Sequence, residues 1–425
     1  MKFFVHALFF LFFFPLNIFS QVSLDNTALT GVSIIDANHK TPLANQTVLI
    51  SGNKIIKIFT DGTQRIPDSF AILQLNGKFL LPGLMDSHVH MATDPSGVDN
   101  RQNTLKVLKE MLHSGITTVR DMAGDARTLA GLSRDALVGD IQSPDIYYSA
   151  LMAGPQFFKD PRTIATTRGA KSGDMSYMRA VTDSTNMPLA IAEAVGTGAS
   201  GIKLYADLTS ELVDKITAEA HKQGLIVWGH AWVQQARPSD LVKAGVNSIS
   251  HAPLVFYEKY SSVSSFPKRY RHNKEFWDMK GINLAPLFQL MKQHNTILDA
   301  TLITYKRMAG RDTSMKYAYE TGREITLLAY KAGVKICAGT DDDQEAFVQK
   351  EIELLVSDAG LTPIDAITAG TLHTAQLLKI DNKVGTVQSG KIADLLLLNK
   401  NPLEDIHNIE SVIMVFKNGR IFKND

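Results

Sequence analysis

The sequence predicts an α/β fold: a (β/α)₈ barrel of the TIM type joined to a small composite β-sandwich built from both chain ends. Three observations predict it. Short apolar runs recur along the middle of the chain, several ending in a histidine, lysine or aspartate. Amphipathic helical patterns lie between them, and strand–helix alternation is the signature of a parallel sheet. The stretches before and after this region instead read as short strands separated by turn residues, too few at either end to bury a face alone.

The first run is Leu81-Pro-Gly-Leu-Met-Asp-Ser-His-Val-His90. Residues i and i+2 of a strand share a face, so His88 and His90 can converge on one point. Two neutral imidazoles converging at a strand end are the usual beginning of a metal site. Four later runs have the same form: Gly201–Tyr205 carries Lys203, Leu225–His230 ends in His230, Val246–His251 ends in His251, and Val334–Asp341 ends in Asp341. Thr296–Ala300 reads as the strand before the last. A helix is predicted over 210–223, with Ser210 as its N-cap and Gly224 just past its end. In a closed barrel the C-terminal strand ends form one rim, which would bring these side chains together.

This order of residues resembles the amidohydrolase superfamily, in particular the branch of imidazolonepropionase-like enzymes and Xaa-Pro dipeptidases. Gly115-Ile-Thr-Thr-Val-Arg-Asp121 is similar to that branch's second strand, and Gly385–Leu398 to its C-terminal segment. The resemblance implies the composite β-domain and a metal-dependent hydrolase that cleaves an amide bond of a dipeptide or N-acyl amino acid. It implies two divalent ions, zinc by the donor types. His88, His90 and Asp341 would hold one, His230 and His251 the other, and an N-carboxylated Lys203 would bridge them. The unmodified ammonium has no acceptor and cannot bridge; the alternative is a structural lysine paired with Asp341 or Asp207. A hydroxide between the ions would attack, with Asp341 passing the proton to the leaving nitrogen. Asp342 or Asp343 would support it. The same centre would serve a cyclic amidase, a lactonase or a phosphotriester hydrolase, and a non-catalytic binding protein on the same barrel is the reading outside enzymes.

Tyr205, two residues past Lys203, is expected at the same mouth as a second catalytic group that donates to an oxyanion or carboxylate. Arg120 is expected to hold a substrate carboxylate, or else to pair with Asp121 or Asp125. Trp232 and Tyr305 are expected to wall the pocket. The segment 256–295, rich in aromatic and basic residues including Tyr260, Phe266 and Lys268, is either a substrate lid or a surface excursion. The histidines at 39, 113, 221, 272, 294, 373 and 407 read as background.

The chain has 425 residues, enough for one large barrel and a second small domain. The expected divisions are a signal peptide at 1–20, the β-domain from 22–80 with 380–425, and the barrel from 81–379. With 44 Lys and Arg against 43 Asp and Glu, no field favours nucleic acid, and a small-molecule substrate is the expected partner. A homo-oligomer is left open. Cys337 is the lone cysteine, which excludes intrachain disulfides. Lys2, the apolar run Ala7–Phe14 and the small Ser20 follow the order of a secretory signal peptide cleaved near Ser20. A secreted or periplasmic protein without a stable membrane anchor is expected.

Overall fold

The computed structural model describes residues 26–92, 100–259, 269–341 and 347–423. The signal segment, Asp342, Asp343, Tyr260, Phe266 and Lys268 lie outside the described residues. The chain opens with β1 (Asn26–Ile34), β2 (Leu43–Ser51), β3 (Lys54–Thr60), β4 (Ala71–Gln74) and β5 (Phe79–Pro82). The barrel strands follow: β6 (Leu84–Val89), β7 (Ile116–Asp121) and β8 (Asp145–Ala153), then a small hairpin of β9 (Asp174–Met175) and β10 (Met178–Ala180). Five more continue it: β11 (Gly201–Leu204), β12 (Ile226–His230), β13 (Ser248–Ser250), β14 (Ile297–Asp299) and β15 (Ile336–Cys337). The C-terminal segment adds β16 (Leu395–Leu398), β17 (Val412–Lys417) and β18 (Arg420–Lys423).

Strands β6, β7, β8, β11, β12, β13, β14 and β15 pair in parallel in that order. The ring closes by backbone hydrogen bonds from Ser87 N to Ala338 O (2.9 Å) and from Asp341 N to His88 O (2.8 Å). These strands are buried on both faces, as a parallel sheet covered by helices requires. The hairpin explains the length of β8. Its first half pairs β7, and Leu151–Ala153 pairs β10 on the edge that β7 has left. This raises one side of the rim.

Helix 210–222 illustrates the outer layer. Leu212, Val213, Ile216 and Ala220 turn inward at helical spacing. Its cap is Thr209 rather than Ser210, because the Thr209 hydroxyl accepts from Leu212 N (3.2 Å). The eighth strand is shorter than its apolar run suggests. At Gly339 a Cβ would lie 2.4 Å from Asp299 Oδ1 and 2.7 Å from His88 Cβ, so only glycine lets the chain cross here. After it the backbone turns, with Asp341 at φ 48°.

The composite β-domain forms as expected, with strand order β18-β17-β16-β5-β1-β2-β3 and β4 alongside β1. The sheet curls until Ile55 N reaches Lys391 O (2.9 Å) and Gly390 N reaches Ile55 O (2.7 Å), giving two facing layers. Leu29, Val48, Leu395, Leu397 and Phe416 fill the space between them. Leu396, Leu398, Val415 and Phe422 face the barrel and join its core. Cys337 is buried, with its thiol pushed up by burial, and is inert packing. Among the described residues, no helix is long and apolar enough to cross a membrane.

Candidate active site

The C-terminal rim carries a cavity of about 280 Å³. His88, His90, Lys203, Tyr205, His230, His251, Tyr305 and Asp341 all line it. Strand ends from opposite sides of the barrel place them there. His90 Nε2 is 3.0 Å and His88 Nε2 3.5 Å from Asp341 Oδ1. Two ligands of one ion, each ~2.0–2.2 Å from it, are separated by about this much. The His230 and His251 ring centroids are 4.6 Å apart, and those of His251 and His88 are 5.0 Å apart.

Each imidazole is aimed by a partner on its Nδ1 side. His88 meets Asp299 Oδ2 (2.7 Å), His90 the Ala123 carbonyl (3.2 Å), His230 the Tyr205 carbonyl (2.9 Å) and His251 the Thr301 hydroxyl (3.0 Å). Such outer bonds fix ring orientation and leave Nε2 for an ion. Burial, opposed by Asp341 and Asp299, lowers His88 to about 4. Burial and the nearby Lys203 hold His230 and His251 well below the ordinary value. Their rings are therefore neutral at physiological pH, the ligating form. Burial alone would raise Asp341, but His88, His90 and His251 keep its carboxyl well below the usual range.

Lys203 is fully buried, and its Nζ has no hydrogen-bond partner among the described residues. The ion pair with Asp207 or Asp341 that would make it a structural lysine is not formed. Burial and the Arg120 charge lower it to about 7. A desolvated amine with so low a proton affinity is partly neutral near pH 7, and the neutral amine is the form that reacts with carbon dioxide. The donor set therefore fits a divalent ion: His88, His90 and Asp341 place their donor atoms within ligating reach of one another, His88 is neutral, and Asp341 pairs with His90, which lowers the carboxyl and, against burial, raises the imidazole.

Two expected contacts are corrected. Arg120 does not line the cavity, nor does it pair with Asp121 or Asp125. It is fully buried beneath the rim, donating to Ser87 O (2.5 Å), Ser248 Oγ (3.0 Å) and Asp299 Oδ2 (3.0 Å), with its guanidinium over Trp228. Trp232 lies behind the wall, stacked on Tyr257 at 4.2 Å, because the chain leaves the strand after His230. Of the long insertion, Phe256, Tyr257 and Trp277 are core residues, while Arg269 and Tyr270 enter the cavity.

Asp299 went unassigned in the sequence, although it ends an apolar run as the ligands do. It accepts from His88 Nδ1, Arg120, Ser87 Oγ (3.0 Å) and Ser250 Oγ (2.8 Å). Burial opposes its charge, but His88, Arg120 and Ser250 hold it down at about 2. Asp86 was also missed. It accepts from His88 N (3.0 Å), Thr340 N (3.0 Å) and Thr340 Oγ1 (2.8 Å), tying the first strand to the turn that carries Asp341. Arg162 and Arg269 line the mouth; Arg269 belongs to the aromatic and basic insertion read as a candidate lid, and no local pattern marked Arg162.

Fold and site together define a (β/α)₈-barrel enzyme with its chemistry on one rim. The amidohydrolase family model matches residues 79–422, and the chain belongs to that family. The ochratoxinase of Aspergillus niger is 25% identical over 420 residues, spanning 86% of this chain and 77% of that protein. A prolidase solved with N-methylphosphonate-L-proline superposes with a TM-score of 0.77 at 25% identity, covering 94% of this chain and all of the other. A Xaa-Pro dipeptidase solved with methionine in its active site gives a TM-score of 0.76 at 24% identity, over 94% of this chain and 100% of that one.

Asp299→Asn should keep the volume but leave the Arg120 guanidinium without its counter-charge. Breaking a buried pair in this way costs about 3–5 kcal/mol. The Asp299 contribution is present above the ordinary carboxylate range and is lost as pH falls toward about 2. Urea unfolding at neutral pH should show the loss; an unchanged midpoint would mean that Asp299 does not brace the barrel.

Proposed function

We propose that this protein is an exported, metal-dependent amidohydrolase that cleaves the amide bond of a dipeptide or an N-acyl amino acid. The observation that carries the reading is the unpartnered Lys203 amine, buried among His88, His230 and His251 on a rim that also holds His90 and Asp341. His88, His90 and Asp341 would hold one divalent ion, His230 and His251 a second, and carboxylated Lys203 would join them. Zinc suits these donors. Bound there, the ions supply an activated water and a Lewis acid for the scissile carbonyl.

The remaining work falls to the chain's own groups. The ionised Asp341 carboxylate accepts the proton released by the attacking water and delivers it to the leaving nitrogen. Tyr205 is wedged between Phe157 (4.3 Å) and His230 (4.0 Å), which fixes its ring. Its oxygen accepts from Arg162, and its O–H would donate to the developing oxyanion. Tyr305 closes the far wall through its hydroxyl bond to Tyr270 (2.8 Å). The dipeptidase and ochratoxinase relatives support hydrolysis of a short amide, and the small cavity suits a substrate of that size.

Freshly purified protein should contain about two divalent ions per chain by elemental analysis, since the donor set makes two sites. His230→Ala should lose metal and rate together. Lys203→Ala should lose activity and recover part of it with added short carboxylic acids. Metal-free protein with chelator-resistant activity would overturn the reading.

Asp341→Asn separates ligation from proton transfer. The amide still offers an oxygen to an ion but cannot accept a proton. Metal content should be largely kept while kcat falls on the order of 10²–10⁴-fold. Near-normal kcat with metal bound would remove Asp341 from the proton path.

The export expectation is tested separately. The full chain expressed in a secreting bacterial host should be recovered outside the cytoplasm with its N-terminus near Gln21. A cytoplasmic product beginning at Met1 would refute it.

A further inference from the structure

The expected metal ligands leave part of the cavity wall unexplained. Arg269 and Tyr270 come from the long insertion after β13, and Arg162 from helix 161–167 after β8. Both arginines line the cavity together with Tyr205 and Tyr305. Arg162 is pre-set: Asp160 clamps it by Nε–Oδ1 (3.1 Å) and Nη2–Oδ2 (2.7 Å), and it donates to the Tyr205 oxygen. Arg269 is deeper. Its carbonyl accepts from the Tyr257 hydroxyl and its guanidinium lies 4.6 Å from the Tyr270 ring centroid. Its strongest electrostatic neighbours are the Tyr270, Tyr205 and Tyr305 phenols. Two guanidiniums and three hydroxyls thus line one wall, Arg162 half exposed at the mouth and Arg269 among the Tyr270, Tyr205 and Tyr305 rings. Planar N–H forks match a carboxylate, and such charge-assisted bonds strengthen where water is excluded.

The other walls are different in character. Met122, Leu151, Phe157 and Met178 form an apolar side at the ends of β7, β8 and β10, and Met308 lies opposite. We infer that Arg269, backed by Arg162, takes a free carboxylate of the substrate, and that the apolar side takes an uncharged side chain or acyl group. The enzyme is then selective for amides of α-amino acids whose carboxylate is free and whose remaining groups are apolar. This inference rests on the amide-hydrolase reading, and it moves carboxylate recognition from the buried Arg120 to the insertion.

The test compares the metal-loaded full-length enzyme on four probes: N-acetyl-L-leucine, L-alanyl-L-leucine, and the C-terminal amide of each. The free acids should have kcat/KM larger on the order of 10–100-fold, the size of a lost charged hydrogen bond. In Arg269→Gln the acid-to-amide ratio should fall by a similar factor, mainly through KM, and Arg162→Gln should lower it less. In wild-type protein free leucine should inhibit more strongly than leucinamide, and Arg269→Gln should erase that difference. Circular dichroism and metal content check that the variants are folded and loaded. Equal turnover of acids and amides in wild type would overturn the inference, as would an unchanged ratio in a folded, metal-loaded Arg269→Gln. Cleavage of neutral amides or lactams but of neither acid would overturn it while leaving the amide-hydrolase reading standing. Failure on every amide would remove both.

Discussion

The architecture depends on one buried carboxylate. Asp299 lies fully buried at the end of β14, and it remains ionised because four donors from three other strands converge on it. A lone carboxylate could not be placed there. Arg120 on β7 balances the charge. It is braced in turn by the Ser87 carbonyl, the Ser248 hydroxyl and the Trp228 ring. His88 is then held by its Nδ1, so the same network that permits a polar barrel interior also orients a rim imidazole. Gly339 belongs to this constraint, since any side chain there would displace the carboxylate.

Much of this was legible in the sequence because barrel chemistry is written at strand ends. His88, His90, Lys203, His230, His251 and Asp341 each close an apolar run, and the structure gathers all six around one cavity. The β-domain was legible from its turns and strand lengths. What failed was direction. Arg120 and Trp232 are near the rim in sequence, yet one points into the barrel interior and the other follows a chain that has already left its strand. Two-residue periodicity holds only while the ladder continues. Asp299 carried the same strand-end signal as the ligands, but its role depends on partners distant in sequence. The insertion that carries Arg269 and Tyr270 was legible as an aromatic and basic segment near the rim, but which of its residues enter the cavity was not, because an insertion's path is set by tertiary packing rather than by a local period.

Backbone conformation marks the rim independently of the side chains. His251 (φ 75°), Thr301 (φ 51°), Asp341 (φ 48°) and Ala123 (φ 99°) occupy left-handed territory that non-glycine residues avoid. Each such residue costs on the order of 1–3 kcal/mol, and they persist only where the surroundings over-determine them. Two of the four are expected ligands, and the other two supply the hydroxyl and carbonyl that aim His251 and His90. Four of the strained positions therefore sit where imidazole direction is decided.

Glu351 shows how that strain is contained. Its buried carboxyl, pushed up to about 8 by burial, accepts from Leu302 N (2.8 Å) and Ile303 N (2.7 Å), the first amides of helix 302–311. The helix begins immediately after the strained Thr301 and carries Tyr305 into the cavity. One carboxyl thus anchors the turn that aims His251 and the tyrosine that closes the pocket. A rim built in this way holds its imidazoles pointed, and His88, His230 and His251 neutral, before anything binds. Little reorganisation is then left for the moment of reaction, which is what preorganised electrostatics require of a catalytic site.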